Sequence, residues 1–385
     1  MVEILIGGDF CPIGINEPFF EQPERVREIF PELCQVIAGA DLSVFNLECP
    51  LTDNSRPIRK SGPNLRAKEG CMAGIRALGI TTLNLANNHI MDFGETGLAR
   101  TLDLCQEYQI ASFGVGRNRA CSLNFHIVNI GGKRVAILGV AEHEWSIATA
   151  RSWGAAPLDL VDIMTVHKNN RSLFDFSIII VHGGMEHYPY PTPRMQKLFR
   201  FLSQECADVV VCQHTHCAGC YEVYKGKPIF YGQGNFLFDY GTAARFSEWN
   251  KGFLIRLIIQ DDNTCQFEII PHQQGSGCPG VRVMQGLERE EFVAAVNRRS
   301  QDVVDALFVE TQWLQFCAKD KNLFVNRFRN YNKMMRRIVS RISVDRLFYM
   351  KDWVCPTLNS YRCETLSEYY ETTLGLVMRD LNGGV

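Results

Sequence analysis

Short, almost wholly apolar runs that alternate with helical patterns constrain the fold of this chain more than any other feature of its sequence. Residues 176–181 read Phe-Ser-Ile-Ile-Ile-Val, and a second run of this kind covers residues 208–212. Such runs are typical of strands buried on both faces, because a strand with one solvated face alternates apolar and polar residues. Buried strands between helices indicate a sheet with helices on its outside. The sequence therefore predicts an α/β fold.

The same alternation extends over the first 270 residues. Gly131-Gly132 and Asp261-Asp262-Asn263 each separate two strand patterns, which predicts two hairpins among the other strands. We therefore expect an α/β sandwich with mixed sheets flanked by helices. The predicted strands are 2–6, 41–45, 80–85, 124–130, 134–140, 176–181, 208–212, 229–231, 252–260 and 265–271, and the predicted helices are 23–37, 68–78, 95–108, 158–173 and 192–206.

The composition changes after residues 275–280, and from about residue 288 the pattern is helical and rich in long charged and aromatic residues. We expect one domain over residues 1–280 and a helical C-terminal region over residues 281–385. Residues 321–350 are strongly basic. They form either a helix that packs its apolar face on the main domain, which we favour, or an amphipathic helix that contacts a membrane surface or an anionic polymer.

Charge and hydropathy exclude several classes of protein. A net charge of −2 gives no electrostatic reason to expect nucleic acid binding. The N-terminus has a strand pattern rather than a secretory signal, and no stretch reaches the roughly 18 apolar residues that span a bilayer. Many of the 15 cysteines lie in apolar runs, which favours buried thiols over disulfides or a zinc site on Cys212, Cys217 and Cys220. We expect a cytoplasmic protein without a transmembrane segment.

Polar side chains that can bind metal ions follow the predicted strands. In open α/β sheets, ligands bind where the carboxyl ends of the strands converge. Carboxylate, imidazole and amide groups together suit Mn²⁺, Fe²⁺, Zn²⁺ or Co²⁺, although a purely structural polar cleft is the alternative. Four of the nine histidines lie in these loops, so we expect a metal site. The residues at strand ends are Asp9, Asn46, Glu48, Asn87, Asn88, His89, His182, His214, His216 and Asn235.

Six short motifs in a fixed order resemble the bacterial capsule-synthesis (CapA-type) family. They are Gly-Asp at 8–9, Asn-Leu-Glu-x-Pro-Leu-Thr at 46–52, Ala-Asn-Asn-His-x-x-Asp-x-Gly-x-x-Gly-Leu at 86–98, His-x-Gly-x-Glu at 182–186, His-x-His at 214–216 and Gly-Asn-Phe at 234–236. The resemblance covers about residues 1–240, and 86–98 is its most specific segment. That family is linked to poly-γ-glutamate capsule formation and resembles calcineurin-like metallophosphoesterases.

The resemblance implies a metallophosphoesterase-like α/β sandwich that binds one or two divalent ions, Mn, Fe or Zn. It implies that His89 protonates a leaving group. Two positions depart from the phosphoesterase pattern: Cys11 replaces a histidine, and Cys212-Gln213 replaces the usual glycine before His-x-His. The first departure leaves a mononuclear centre open. The implied metal ligands are Asp9, Glu48, Asn88, His182, His214 and His216.

Further residues are candidates for the rim of the cleft. Glu186 could orient a ligand or act as a catalytic base. Lys60 and Arg66 bracket a loop and could bind a carboxylate or phosphate of the substrate, or could be solvated loop charges. Asn235 is a third candidate for substrate binding. His143, between two glutamates, follows the strand at 134–140 and is a further candidate.

Two functions are compatible with these residues. The first is a metal-dependent hydrolase, in which a metal-activated water attacks a phosphoester or a γ-glutamyl amide. The second is a non-catalytic protein that binds an anionic polymer, or acts as a scaffold, in capsule or poly-γ-glutamate biosynthesis. Either function predicts an anionic small molecule or polymer as partner. The sequence does not separate phosphoester from amide chemistry.

Overall fold

The structure is a computed structural model that describes residues 1–240, 248–275, 277–328, 358, 359, 361 and 363–381. In these residues the strands are β1 Val2–Cys11, β2 Leu42–Leu47, β3 Thr82–Asn84, β4 Ala111–Phe113, β5 Val115–Gly116, β6 His126–Ile130, β7 Lys133–Ala141, β8 Gly154–Ala155, β9 Phe176–His182, β10 Val209–Gln213, β11 Tyr221–Tyr224, β12 Lys227–Phe230, β13 Asn235–Phe238, β14 Lys251–Ile259, β15 Cys265–Gln274 and β16 Val281–Val283.

The α-helices lie between these strands and after them. They are α1 Glu17–Phe20, α2 Val26–Ile29, α3 Leu33–Ala38, α4 Cys71–Leu78, α5 Gly94–Glu107, α6 Arg119–Ser122, α7 Leu160–Asn170, α8 Pro193–Glu205, α9 Gly286–Asp302, α10 Ala306–Phe328 and α11 Glu364–Leu381.

The strands form two large mixed sheets and a small one. The first large sheet has the order β16-β15-β14-β1-β2-β3-β4, with β13 also paired to β1. Its strands β1 to β4 are parallel, and β14 to β16 are antiparallel to their neighbours. The second has the order β11-β12-β10-β9-β7-β6, with a parallel centre and antiparallel edges. The predicted α/β class with mixed sheets is confirmed.

The two large sheets pack face to face, and helices cover their outer faces. Ile4 of β1 and Ile178 of β9 lie in the cluster between the sheets. Leu5 points to the opposite face of β1, where it belongs to a cluster with α4. Ile179 packs with Phe199 of α8 on the outer face of the second sheet. Successive residues of a strand point to opposite faces, so burial of both faces explains the apolar runs of the sequence.

The predicted continuous helix over residues 23–37 is wrong. The structure instead has a 3₁₀ turn at Pro23–Arg25 followed by the separate helices α2 and α3. Pro31 lies between these helices, and Phe30 before it has φ −134° and ψ 49°. Proline has no N–H to donate and disfavours helical backbone at the preceding residue, so the helix breaks there.

Both predicted hairpins are present. Strands β6 and β7 pair antiparallel around Gly131 and Gly132, which have φ of 53° and 76°. A two-residue hairpin turn with positive φ at both positions favours glycine at each. Strands β14 and β15 pair antiparallel around the second loop, where Asn263 has φ 66°.

The chain divides into two compact units, Met1–Thr311 and Gln312–Val385. The sheets lie in the first unit, and helix α9 binds there through Arg299, whose guanidinium donates to the carbonyl of Gly219 at 3.0 Å. The proposed domain limits of 1–280 and 281–385 remain a prediction. The side chains of the predicted basic helix at 321–350, and with them its membrane or polymer contact, lie outside the described residues.

The described cysteines are free thiols, and most of those in the first unit are buried. This agrees with the expectation of buried thiols rather than disulfides. In the described part of the chain, no helix has both the length and the apolar character that a membrane crossing requires.

Candidate metal centre

The predicted ligands meet where the carboxyl ends of both large sheets come together. Asp9 lies near the end of β1, and Glu48 directly follows β2. His182 is the last residue of β9, and His214 and His216 follow β10. All five side chains are buried. The structure therefore brings together residues that lie as far apart in sequence as 9 and 216.

Three ligand atoms surround Nε2 of His182. Oδ1 of Asn88 lies 3.0 Å from it, Nδ1 of His214 lies 3.1 Å from it, and Oε1 of Glu48 lies 3.5 Å from it. Ligands at about 2.1 Å from one ion, at right angles to each other, are about 3 Å apart. The distance of each of these atoms from Nε2 of His182 is therefore compatible with a divalent ion shared with that nitrogen.

His216 faces Glu48 and Asp9 through different nitrogens of its ring. Nε2 of His216 lies 3.7 Å from Oε1 of Glu48, and Nδ1 of His216 lies 3.4 Å from Oδ2 of Asp9. Ligand atoms of Glu48, His214 and His216 lie within 4.8 Å of one another, as do those of Asp9, Glu48 and His182. Glu48 belongs to both of these triads, so it would be a ligand whether one ion or two were bound.

The surroundings of the Glu48 carboxylate indicate whether a cation fits between the ligands. Both of its oxygens are buried and accept no hydrogen bond from the described residues. Burial, and after it the charge of Asp9, raises the pKa of Glu48 well above its ordinary value. A buried ionised carboxylate without a partner costs several kcal/mol, and a cation offsets that cost. The residues present therefore fit a divalent ion.

Two of the three histidine ligands, His182 and His214, favour the neutral form that a metal requires. Burial lowers the pKa of His182, and burial together with the neighbouring imidazoles of His182 and His216 lowers the pKa of His214 well below its ordinary value. For His216, burial is outweighed by the charges of Glu48 and Asp9, so its pKa is raised. Neutral imidazole is the form that binds metals, so His182 and His214 are prepared for coordination.

The backbone of the His-x-His motif is strained. His214 has φ 92° and His216 has φ 52°, both in the region that favours glycine. Each such residue costs roughly 1–3 kcal/mol, and these conformations cluster at functional sites. The strained backbone directs the rings of both residues toward Glu48.

Two asparagines that the sequence placed at strand ends support the ligands. Nδ2 of Asn46 donates to Oδ1 of Asp9 at 2.8 Å and lies 3.1 Å from Nδ1 of His182. Nδ2 of Asn87 lies 3.2 Å from Oδ1 of Asn46. Asn46 therefore fixes two ligand side chains at once, and Asn87 fixes Asn46.

His89 lies beside the ligands in a separate hydrogen-bonded group. Its Nδ1 lies 2.7 Å from Oδ2 of Asp92, and Asp92 also forms an ion pair with Lys60. Burial lowers the pKa of His89, although the hydrogen bond to Asp92 acts in the opposite direction. Since Nδ1 is held by Asp92, Nε2 is the nitrogen left to exchange a proton with a substrate.

The three residues expected to bind substrate have partners within the protein. The side chain of Lys60 is buried, with its Nζ against Asp92 and 3.1 Å from Nδ1 of His89. Arg66 donates to the carbonyl of Thr52 at 3.0 Å. Oδ1 of Asn235 lies 2.8 Å from Nδ1 of His216, and its Nδ2 donates to the carbonyl of Trp249 at 3.0 Å. Their substrate-binding roles remain predictions.

A cavity of about 430 Å³ lies beside the centre and is lined by Glu142, His143, Glu144, Leu158 and Arg194, of which Glu144 also contacts Asn88. His143, a candidate from the sequence, lies in this lining. Its neighbour Glu144, one of the two glutamates that flank it in the sequence, contacts Asn88 itself. Glu186 is exposed, with its carboxylate 4.0 Å from Nε2 of His187.

The cysteines near the centre do not join it. Cys11 is fully buried against Cys49, and burial together with that contact raises the pKa of its thiol well above the ordinary value. In the described part of the chain, the groups that could hold a metal contain no cysteine, so neither Cys11 nor the set Cys212, Cys217 and Cys220 adds a ligand.

Comparisons with known proteins confirm the resemblance to the capsule-synthesis family. The profile of the family "Bacterial capsule synthesis protein PGA_cap" matches residues 3–240, which include all six predicted ligands. The "Capsule biosynthesis protein CapA" of Bacillus anthracis is 28% identical over 260 residues, which cover 65% of this chain and 62% of that protein. The chain thus spans about three fifths of the length of that relative.

A second sequence relative and a solved structure are also similar to this chain, the structure only weakly. The "PGA biosynthesis protein CapA" of Bacillus subtilis (strain 168) is 26% identical over 278 residues, which cover 71% of this chain and 72% of that protein. The structure of a 5'-nucleotidase precursor from Thermus thermophilus aligns with a TM-score of 0.43 and 14% identity over 84% of this chain and 59% of that chain. A similarity of that size does not establish a shared fold.

Proposed function

The chain belongs to the bacterial capsule synthesis protein family, and from this premise we propose that it is a metal-dependent hydrolase of capsule or poly-γ-glutamate biosynthesis. The observation that carries this proposal is the buried, unpartnered carboxylate of Glu48 at the meeting point of the histidine ligands. The substrate that we propose is a phosphoester or a γ-glutamyl amide, and the site of action is the cytoplasm.

The two groups of ligand atoms suggest how the ions would be held. Asn88, His182, His214 and Glu48 would hold one divalent ion, and Asp9, Glu48 and His216 would hold a second. Mn, Fe or Zn suits this mixture of carboxylate, imidazole and amide oxygen. When bound, such ions supply Lewis-acid polarisation of the substrate and a nucleophilic water at neutral pH.

The chain's own proton donor would be His89. Asp92 holds Nδ1, so Nε2 is the atom that would give a proton to the leaving group. Lys60 neutralises the buried charge of Asp92 and lies against the same imidazole. General acid catalysis of this kind contributes about 10²- to 10⁴-fold to the rate. Glu186, which is exposed beside His187, is proposed as an additional catalytic group that orients the substrate or accepts a proton.

The alternative is binding of an anionic polymer without turnover. It rests on Lys60, Arg66 and the basic C-terminal segment, which would attract a polyanion, and the side chains of that segment lie outside the described residues. In the structure Lys60 pairs with Asp92 and Arg66 with the carbonyl of Thr52. Both cations are therefore engaged inside the protein, and catalysis is the better supported function.

Metal content followed by a hydrolysis screen tests the proposal. We expect one or two ions per purified chain, and loss of metal in His214→Ala. His167→Ala, on helix α7, is the matched histidine control and should keep its metal. With Mn²⁺ added, the wild type should hydrolyse either bis(4-nitrophenyl) phosphate or a γ-glutamyl anilide. Bound metal without hydrolysis of either compound, together with saturable binding of poly-γ-glutamate, would favour the alternative.

A further inference from the structure

Glu144 contacts the amide of Asn88 on the side away from the other ligands. Nδ2 of Asn88 lies 3.3 Å from each carboxylate oxygen of Glu144, while Oδ1 lies 3.0 Å from Nε2 of His182. An ionised carboxylate only accepts hydrogen bonds, so the group facing it must be the NH₂ of the amide. The opposite end of the amide, its oxygen, then faces the metal centre.

The same carboxylate lies on the outer side of His214. Oε1 of Glu144 is 3.7 Å from Nε2 of His214, within ion-pair range, while Nδ1 of that ring lies 3.1 Å from Nε2 of His182. A carboxylate next to Nε2 favours the tautomer with hydrogen on Nε2, which leaves the lone pair on Nδ1 facing the centre.

The loop that carries Glu144 is fixed to the ligand loops at several points. The hydroxyl of Ser146 donates to the carbonyl of Asn88 at 2.7 Å, and the N–H of Glu142 donates to the carbonyl of His182 at 3.0 Å. The carboxylate of Glu142 also accepts from the N–H of Gly184 at 2.7 Å. The position of Glu144 relative to Asn88 is therefore set by hydrogen bonds of the residues on both sides of it.

We propose that Glu144 is a positioning residue of the metal centre, whose carboxylate selects Oδ1 of Asn88 and Nδ1 of His214 as the atoms that bind the ion. This inference rests on the metal centre of the proposed function. Amide and imidazole groups each present two different atoms at their ends, and coordination requires the one with a lone pair. Glu144 makes that choice for two ligands before an ion arrives.

The test is titration of the metal-free, full-length protein with Co²⁺, followed by visible absorption. Glu144→Gln keeps the length of the side chain but adds an NH₂ that tolerates either orientation of Asn88. We expect about 10- to 100-fold weaker Co²⁺ binding, the usual cost of losing an outer partner of a ligand, and a changed Co²⁺ spectrum. The metal-free variant should unfold at the temperature of the wild type.

Glu142→Gln is the matched control, because it removes the same charge from the same loop while its side chain binds Gly184 and Arg194 instead. It should bind Co²⁺ nearly as the wild type does. Equal losses in both variants would show that charge alone matters and would refute the inference. An unchanged Co²⁺ affinity of the Glu144→Gln variant would also refute the inference. Absence of Co²⁺ binding by the wild type would refute the metal centre and, with it, this inference.

Asn88→Asp provides a second test. Aspartate presents an oxygen in either orientation, so Glu144 is no longer needed to select the ligand atom of residue 88. We expect Glu144→Gln to weaken Co²⁺ binding less in the Asn88→Asp background than in the wild type. An equal loss in both backgrounds would contradict selection of the Asn88 oxygen.

Discussion

The backbone N–H of His214 donates a hydrogen bond to Oδ2 of Asp9 at 2.9 Å. This bond joins the loop after a strand of the second sheet to the end of the central strand of the first sheet. The same oxygen of Asp9 lies 3.4 Å from Nδ1 of His216. Asp9 therefore holds the strained His-x-His loop in place in addition to offering a ligand.

Asp9→Asn tests this double role. The amide keeps the volume of the carboxylate but loses its charge and one of its acceptor oxygens. We expect the metal-free protein to lose about 1–3 kcal/mol of unfolding free energy, measured with urea, because buried partners of Asp9 are left unsatisfied. Metal content after dialysis should fall as well. Full metal content in the variant would contradict the assignment of Asp9 as a ligand.

Glu48→Gln should have opposite effects on the metal-free and metal-loaded protein. The pKa of Glu48 is higher in the folded protein than in the unfolded chain, where it is about 4.5. The folded state therefore loses stability as the pH rises above 4.5, because the unfolded state gives up this proton first. Removing this buried charge should therefore stabilise the metal-free protein by about 1–3 kcal/mol at pH 7. Metal should no longer raise the melting temperature. Destabilisation of the metal-free variant would argue that Glu48 has a partner without any ion.

Chelation should lower the thermal stability of the wild type. An ion that binds only the folded state, at 100 times its dissociation constant, contributes about 2.7 kcal/mol. Treatment with a chelator should therefore lower the melting temperature, and addition of Mn²⁺ should restore it. His214→Ala should show neither response, whereas His167→Ala should show both. A wild-type melting temperature that does not respond to metal would contradict the proposed centre.

His89→Gln separates metal binding from proton transfer. His89 is bonded to Asp92 and is outside the proposed ligand set, so the variant should keep its metal content. Its turnover number should fall by about 10²- to 10⁴-fold on a substrate with a poor leaving group. The loss should be smaller on a nitrophenyl ester, whose leaving group needs no proton. Equal activity on both substrates at the wild-type level would exclude His89 as the general acid.

We expect His272 to lower the free energy of unfolding at acidic pH. The ring is fully buried, its Nε2 lies 3.0 Å from the carbonyl of Asn235, and burial lowers its pKa to about 4. Since the unfolded value is about 6.5, the unfolded state binds the proton first, and stability is lost as pH falls from 6.5 toward 4. Between pH 7 and pH 5 this group alone costs about 2 kcal/mol.

Urea unfolding of metal-free His272→Gln at the two pH values measures this contribution. The variant should lose about 2 kcal/mol less than the wild type over the same interval. Other buried histidines add to the pH dependence of both proteins, so only the difference between them is assigned to His272. An identical pH dependence would mean that His272 stays neutral in the unfolded chain or is charged in the folded one.

The sequence alone determined the strands, the hairpins and the residues that follow each strand. A strand buried on both faces has an apolar run, and a two-residue turn with positive φ favours the pair Gly131-Gly132. Both features can be seen in the sequence because they depend only on residues that are adjacent in the chain. The break of the helix at Pro31 could also be predicted from the sequence, because proline has no N–H to donate. The predicted helix over residues 23–37 did not take this into account.

Only the tertiary structure decided which side chains contact each other. Lys60 and Arg66 looked alike as loop cations, yet one pairs with Asp92 and the other with a backbone carbonyl. His143 was the candidate from its loop, and its neighbour Glu144 is the residue that reaches Asn88. Contacts of this kind join residues far apart in the chain, so they depend on how two sheets pack against each other, which no local pattern of residues encodes.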